Sequence, residues 1–286
     1  MAAIQVTAAR PVAARRLHTL RGNKGVLLGC AVLAGLLVAG FFMPLPHSPT
    51  APDVTAILEP PSHGHLFGTD ISGFDVFSRT VNSASRDLPL ALIGTLVSLA
   101  LGVPLGLLAS AKARYAAWLM RALDVFQAFP LVIIAIAVVT LTGNHLPNVI
   151  LAIAIINVPR FMRLVRSEAL TLRESRFVEA ATAIGCSPLR IMFRHLLPNM
   201  LGMVLVQCSL SAANAIIVIA SLNFLGVGVS PPLPTWGSMI QSGADNIATG
   251  EWWTVLFPGL AVLVTVFSFN LIADSLQDAV ETAGGR

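Results

Sequence analysis

The segment Phe177–Asn199 has the sequence FVEAATAIGCSPLRIMFRHLLPN and lies between long apolar runs. Its first part carries apolar side chains at the i, i+3, i+4, i+7 spacing of one helix face: Phe177, Ala180, Ala181 and Ile184. Gly185 suits the left-handed residue that follows a helix, and Ser187-Pro188 is typical of an N-cap and first helical residue. The sequence predicts a helix, a sharp turn and a short second helix that meets the next apolar run at Pro198.

The composition of the whole chain indicates a membrane protein. Of 286 residues, 55% are hydrophobic and 11% are charged, whereas soluble domains have about 25% charged residues. Six apolar runs are long enough to cross a bilayer: 26–46, 88–111, 122–141, 146–164, 201–222 and 254–274. We therefore predict an all-α polytopic protein with six transmembrane helices. The spacing of Cys30, Cys186 and Cys208 fits neither a disulfide framework nor a metal site.

The basic residues predict the orientation of these spans. Five precede the first run, three follow the second, and seven lie at the end of the fourth run and after it. The connections after the third and fifth runs have none. Because Lys and Arg are enriched in cytoplasmic loops, both termini are expected in the cytoplasm. Residues 47–87 and 223–253 are then outside, with Trp236, Trp252 and Trp253 in the outer interfacial belt.

The predicted organisation has four parts. They are a cytoplasmic tail (1–25), a first transmembrane helix (26–46), an extracytoplasmic loop (47–87) and a five-helix core (88–280) that contains a cytoplasmic loop at about 165–200. The run Leu27-Leu28-Gly29-Cys30 also resembles a lipoprotein cleavage sequence. Its cysteine begins the apolar run instead of ending it, which favours a retained first span.

The segment 177–199 has two possible docking partners. Its arginines and its apolar Ile191, Met192 and Phe193 are expected at the surface, because two short helices cannot bury them. Such an amphipathic segment either lies on the anionic inner leaflet or binds another protein.

The residues of this segment resemble a known motif. Glu179-Ala180-Ala181, Gly185 and Leu196-Leu197-Pro198 are similar to the EAA motif of ATP-binding-cassette (ABC) importer permeases. His65–Asp70, Ser221–Val229 and Asn270–Ala279 are similar to segments of the C-subunits of dipeptide, oligopeptide and nickel permeases. The resemblance thus covers most of the chain. It departs at Phe74, where the family usually has arginine, and over 85–89 (SRDLP).

The resemblance implies a type I ABC importer permease fold, with a coupling helix between spans 4 and 5 that seats in a cytoplasmic ATPase. It also implies import of di- or oligopeptides across the bacterial plasma membrane, with nickel or another small solute as the alternative. The residues implied for coupling are Glu179, Ala180, Ala181, Gly185, Ser187, Pro188, Leu189, Arg190, Ile191, Met192, Phe193 and Pro198. The implied partners, besides the lipid bilayer, are a second homologous permease, a peptide-binding protein and ATPases on two chains or one fused chain.

The sequence also argues against other classes of protein. It has no Gly-x-x-x-x-Gly-Lys-Ser/Thr phosphate loop, so ATP and Mg²⁺ are expected on partner chains, and no cofactor is expected here. Zinc-protease and nucleophile-elbow motifs are missing too, so we do not predict an enzyme. The basic residues lie between apolar runs, as topology signals do, which argues against a nucleic-acid-binding protein. A self-sufficient secondary transporter would need ionisable residues in mid-span, but Asp124 and Asp274 lie at span ends. His63 and His65 alone form a poor metal site.

Polar residues within the predicted spans are candidates for a translocation path. Four share one face of span 5 and a fifth lies in span 4: Gln207, Ser211, Asn214, Ser221 and Asn157. The alternative is interhelical hydrogen bonding, worth about 0.6 kcal/mol on average. In span 2, Gly94, Gly102 and Gly106 are expected to permit close helix packing.

Overall fold

The computed structural model describes residues 23–111, 114–229 and 232–284. Residues 1–22 of the predicted tail, and with them Lys112, Pro231 and Arg286, lie outside this part. We number its helices α1 (Lys24–Phe42), α2 (Val76–Ala109), α3 (Arg114–Gln127), α4 (Leu131–Thr142), α5 (Leu146–Arg173), α6 (Arg176–Ala183), α7 (Pro188–Ile191), α8 (Leu197–Phe224), α9 (Trp236–Ala244) and α10 (Trp253–Gly284). A π-turn (Met192–Leu196) and a 3₁₀-turn (Asp245–Ile247) complete the helical structure.

Five helical stretches are long and apolar enough to cross a membrane. They are α1, α2, α5, the continuous stretch Pro188–Phe224, and Trp253–Thr282 in α10. The bent pair α3–α4 raises the number to six if it forms one span. The predicted all-α membrane fold is thereby confirmed, and the six predicted spans correspond to these five stretches and the bent pair. The first helix ends at Phe42, four residues before the predicted end of its span.

The third predicted span is not one straight helix. The helices α3 and α4 meet at an angle of 87°. The chain turns at Pro130, which has no N–H for a helical hydrogen bond and disfavours helical geometry in the residue before it. Because α4 has 12 residues and rises about 1.5 Å per residue, it is too short to cross a 30 Å hydrocarbon layer alone.

The second helix begins twelve residues before the predicted span. The Asp75 carboxylate caps it by accepting a hydrogen bond of 2.7 Å from the Ser78 N–H. Residues 76–87 therefore belong to α2, and the irregular part of the predicted loop 47–87 ends at Asp75. Within this outer segment, Thr69 and Asp75 form an isolated antiparallel bridge.

The centre of the protein is the packing of α2 against α5. A Cβ atom added at Gly94 would lie 2.6 Å from Ile153 Cγ2, and one at Gly102 would lie 2.6 Å from Phe161 Cβ. At Gly106 the Met162 carbonyl oxygen would be 2.7 Å away. The predicted role of these glycines in close helix packing is confirmed. The helices α8 and α10 close the core, and α1 packs against α10 where Gly29 faces the Ser268 carbonyl.

Candidate functional site

The turn at Gly185 ends α6 with a Schellman motif. Gly185 has a φ of +81°, the left-handed conformation expected there. Its N–H donates to the Thr182 carbonyl at 3.0 Å, and the Cys186 N–H donates to the Ala181 carbonyl at 3.0 Å. No atom lies within 4 Å of a Cβ built on Gly185. The glycine is therefore required by its backbone conformation and not by lack of space.

The short helix α7 starts at the predicted residue, but the helical structure that follows it is not interrupted at Pro198. Ser187 is its N-cap and accepts a hydrogen bond from the Arg190 N–H at 3.4 Å, with Pro188 in the first helical position. The chain then passes through the π-turn, where the Leu197 N–H donates to the Met192 carbonyl. Because Pro198 lies in the first turn of α8, where a missing N–H is tolerated, the helix continues into the membrane span.

We call residues 176–196 the elbow. It buries one side and exposes the other. Ile191 and Met192 are only 9% and 5% exposed and lie in one apolar cluster with Val178, Ala181, Phe161 and Val165. Their predicted place on a docking surface is corrected, because α5 provides an apolar partner that sequence spacing does not reveal.

The three most exposed large apolar residues of the elbow are Ile184, Leu189 and Phe193, with exposed fractions of 81%, 62% and 54%; Phe177 follows at 40%. We call the first three the elbow patch. Ile184 was placed by the sequence only on the apolar face of the first helix. Its position directly before a left-handed glycine is the signal that it turns outward with the chain. The elbow also exposes polar residues close to the patch in the chain: Glu179, Ser187, Arg190 and Arg194.

The polar residues predicted for the translocation path differ in whether their side chains have hydrogen-bond partners. The Gln207 amide donates to the Ser211 hydroxyl at 3.0 Å, and the Ser221 hydroxyl donates to the Ile217 carbonyl at 2.8 Å. In contrast, the side-chain nitrogens of Asn157 and Asn214 are buried with no hydrogen-bond partner among the described residues. An unpaired polar group costs several kcal/mol inside a membrane protein, so these two amides are the notable members of the set.

The outer segment 43–75 is tied to α2 and α10. The Trp253 indole N–H donates to the Thr69 carbonyl at 3.1 Å, and Phe67 stacks on Phe257 with ring centroids 3.8 Å apart. Asp70 accepts hydrogen bonds from the Ser72 and Phe74 N–H groups. Burial raises the pKa of the Asp70 carboxyl above its ordinary value, and these hydrogen bonds oppose the rise.

Two tryptophans predicted for the interfacial belt are instead buried. Trp236 donates its indole N–H to the Thr80 carbonyl at 2.9 Å, and Trp253 is held as described above. Trp252 alone of the three is exposed. Their place in the predicted outer segments suggested an interfacial belt. A tryptophan can also be buried, however, where its indole N–H donates to a carbonyl oxygen.

The two departures from the resemblance have structural partners. The guanidinium of Arg79 lies over the Phe74 ring, 4.0 Å from its centroid. The Asp87 carboxylate accepts a hydrogen bond from the Trp236 N–H. Both residues thus join the outer segment and the 232–253 region to α2.

Comparison with known proteins identifies the family. Residues 102–283, which include the elbow, match the family described as the inner membrane component of binding-protein-dependent transport systems. The chain belongs to this family. As such a component it is a multi-pass membrane transport protein rather than an enzyme, and it works with ATPase and substrate-binding partners.

Several curated proteins resemble this inner membrane component over most of their length. The dipeptide transport system permease protein DppC of Alkalihalophilus pseudofirmus is 39% identical over 265 residues, covering 92% of this chain and 87% of the relative. The di/tripeptide permease protein DppC of Pseudomonas aeruginosa is 37% identical, with coverages of 91% and 88%. The glutathione permease protein GsiD of Pectobacterium atrosepticum is 38% identical, with coverages of 80% and 76%.

A solved structure shares the fold. A chain of the MetNI methionine ABC transporter, crystallised in inward-facing conformations, superimposes with a TM-score of 0.58 at 17% identity. The match covers 72% of this chain and 96% of that chain. The inner membrane component therefore has the type I ABC importer permease fold that the sequence implied.

Proposed function

We propose that this chain is a permease subunit of an ATP-driven importer that receives di- or oligopeptides from an extracytoplasmic binding protein. The relatives compared above are named for dipeptides, di/tripeptides and glutathione, all of which have amide or carboxylate oxygens. Nickel or another small solute is the alternative within the family, and a self-sufficient secondary transporter is the alternative from another class.

The observation that carries the coupling proposal is the elbow patch. Ile184, Leu189 and Phe193 are exposed on a segment whose opposite side is packed against α5. Exposed apolar groups ringed by polar residues mark protein or membrane contact sites. A cytoplasmic ATPase that seats on this patch would push against a structure already anchored in the core. Glu179 would add electrostatic attraction to the contact.

The remaining partners follow from what the chain does not supply. ATP and Mg²⁺ bind to the ATPase chains, either two subunits or one fused chain, because this sequence has no phosphate-binding loop. A second homologous permease provides the other half of the pathway. Both termini lie in the cytoplasm of a bacterium, as the distribution of Lys and Arg supports.

The buried amides support a peptide substrate. Asn157 and Asn214 each have a side-chain N–H group without a partner, and such a donor fits a peptide carbonyl oxygen. We place both residues on the translocation path. Gln207, Ser211 and Ser221 already have hydrogen-bond partners within their own helix. We therefore place them beside the path and not among the groups that bind the substrate.

The test is reconstitution of this chain with its candidate partners in proteoliposomes. ATP-dependent uptake of labelled di- and tripeptides, dependent on the binding protein, is the expected result. Uptake of Ni²⁺ in place of peptides would favour the alternative substrate. Uptake by this chain alone without ATP would overturn the importer and favour the secondary transporter. An elbow that binds anionic vesicles but no ATPase would instead be a lipid-facing helix.

A further inference from the structure

Three side chains of metal-binding type meet in the outer segment. One nitrogen of His47, one of His65 and a carboxylate oxygen of Asp75 all lie within 4.8 Å of one another. His65 Nδ1 is 2.9 Å from Asp75 Oδ1, and the two imidazole rings stack with centroids 4.4 Å apart. These residues lie 18 and 10 positions apart in the chain, so the fold and not a local motif brings them together.

Other hydrogen bonds hold His47 and Asp75 in place. The His47 backbone N–H donates to the Ser78 hydroxyl at 3.3 Å, and its Nε2 lies 2.9 Å from the Gly64 carbonyl oxygen. If Nε2 carries the proton of that hydrogen bond, Nδ1 keeps a free lone pair. Asp75 uses Oδ2 to cap α2, which leaves Oδ1 to face His65. The three groups are therefore positioned before any ligand arrives.

The hydrogen bond between His65 and Asp75 explains why these two side chains are paired, but it does not explain why the His47 imidazole also lies against them. We propose that His47, His65 and Asp75 bind a divalent transition-metal ion of the Zn²⁺ class. Imidazole nitrogens with a carboxylate oxygen suit zinc, nickel and copper, whereas Ca²⁺ takes six to eight oxygen ligands. When the His65 proton moves from Nδ1 to Nε2 and the hydrogen bond to Asp75 is given up, the 2.9 Å between His65 Nδ1 and Asp75 Oδ1 lets both atoms bind one ion at about 2.0–2.2 Å.

The third ligand requires a small adjustment. A separation as large as 4.8 Å exceeds twice a zinc–nitrogen distance of about 2.1 Å. Binding would draw the His47 ring inward wherever its nitrogen lies beyond that distance from another ligand atom. The half-buried His47 leaves one side of the group open, where water completes a four-coordinate site.

The ion would act as a structural clamp and not as cargo. It would join the chain after α1 (His47), the turn at His65 and the N-cap of α2 (Asp75), and His65 and Asp75 are buried. An ion that binds only the folded state stabilises it by mass action. The site is independent of the elbow and of ATP, so its existence does not depend on the proposed transport cycle.

The test uses the purified full-length chain in detergent, carrying a tag without histidine and stripped with EDTA. The probe is ZnCl₂ alone, followed by equilibrium dialysis and by thermal unfolding. We expect one tightly bound Zn²⁺ per chain and a higher Tm, with no such rise in CaCl₂. His63 is exposed and outside the group, so His63→Ala is the matched control and should behave as the wild type.

Two variants separate ligation from folding. His47→Ala removes one ligand and leaves the His65–Asp75 pair and the α2 cap intact. His47→Gln also removes the ligand but retains an N–H donor for Gly64. Both should weaken zinc binding at least about tenfold, the smallest loss typical even of changes around a metal ligand. The proposal is overturned if the wild type retains no zinc, or if His47→Gln binds it as tightly as the wild type.

Discussion

The backbone N–H of Trp236 donates to the carboxylate of Asp87 across 2.9 Å, joining two residues 149 positions apart. The same tryptophan bonds the Thr80 carbonyl through its indole N–H. Together these bonds dock the start of α9 on one face of α2. The close packing at Gly237, where an added Cβ would lie 2.2 Å from the Ala220 carbonyl oxygen, shows that α8 is part of the same junction.

We predict that the Trp236 junction depends on an acceptor at position 87 and not on its charge. Asp87→Leu leaves the Trp236 N–H buried without a partner, which costs about 1–3 kcal/mol. Asp87→Asn keeps an acceptor oxygen of the same shape and should cost less. Thermal unfolding of both variants in detergent measures the difference. Equal loss of stability in the two would show that the charge, and not the hydrogen bond, matters.

Gly185 should tolerate asparagine but not valine. Its left-handed conformation costs an L-residue about 1–2 kcal/mol, and a β-branched residue is especially disfavoured there, while asparagine occurs naturally at this helix end. Because space around Gly185 is open, side-chain size alone has no effect. We expect Gly185→Val to lower peptide uptake relative to ATP hydrolysis in proteoliposomes and Gly185→Asn to retain both. Normal uptake by the valine variant would contradict the role of this turn.

Substitutions at two neighbouring residues of the elbow should distinguish an effect on ATPase docking from an effect on folding. Met192→Ala creates a cavity in the core and should lower the free energy of unfolding by about 2–5 kcal/mol. Phe193→Ala removes an exposed side chain and should change stability by less than about 0.5 kcal/mol. It should nevertheless reduce the amount of ATPase that copurifies with the chain. Full ATPase recovery with Phe193→Ala, Leu189→Ser and Ile184→Ser combined would exclude the elbow patch as the docking surface.

Asn214→Leu should reduce uptake without destabilising the protein. The change removes an amide whose nitrogen has no partner, so no hydrogen bond of that nitrogen is lost. Thr265→Val is the control, since the Thr265 hydroxyl is bonded within its own helix to Ala261. Peptide uptake at fixed ATPase activity is the measurement. If both variants transport alike, Asn214 does not contact the substrate.

Glycines in the membrane helices should differ in their tolerance of a methyl group. Gly102→Ala forces a Cβ atom against Phe161 and the Val158 carbonyl, and such overpacking costs about 1–3 kcal/mol. At Gly35 of α1 no atom lies within 4 Å of an added Cβ. Gly35→Ala should therefore be neutral or stabilising, by up to about 1 kcal/mol from helix propensity. Thermal unfolding of the two variants decides between these outcomes.

Local features of the fold were predictable from the sequence. The helix end at Gly185 and the N-cap at Ser187 depend on residues within one turn, and the apolar runs fix which helices enter the membrane. The burial of Ile191 and Met192 was not predictable, because it depends on where α5 lies. Pro130 is a local signal for the break between α3 and α4, and the prediction of one span over 122–141 did not use it.

In the outer segment, too, contacts between residues far apart in the chain could not be predicted from the sequence. The sequence placed His65 beside His63 as a weak metal pair, while the fold brings His47 to it from 18 residues away. Likewise, the buried positions of Trp236 and Trp253 depend on carbonyl groups of distant residues. Contacts of this kind are set by the packing of helices, for which a single sequence carries no spacing rule.

The stretch Pro188–Phe224 is unbroken over 37 residues, about 55 Å at 1.5 Å per residue. Leu189 at one end and Asn214 far along it are thus parts of one stiff rod. A force applied to the elbow patch would tilt the rod as a whole and displace the polar groups of α8 with it. The π-turn at Met192–Leu196 lies within this rod, so the proposed motion would reach the polar groups of α8 through the hydrogen bonds of that turn.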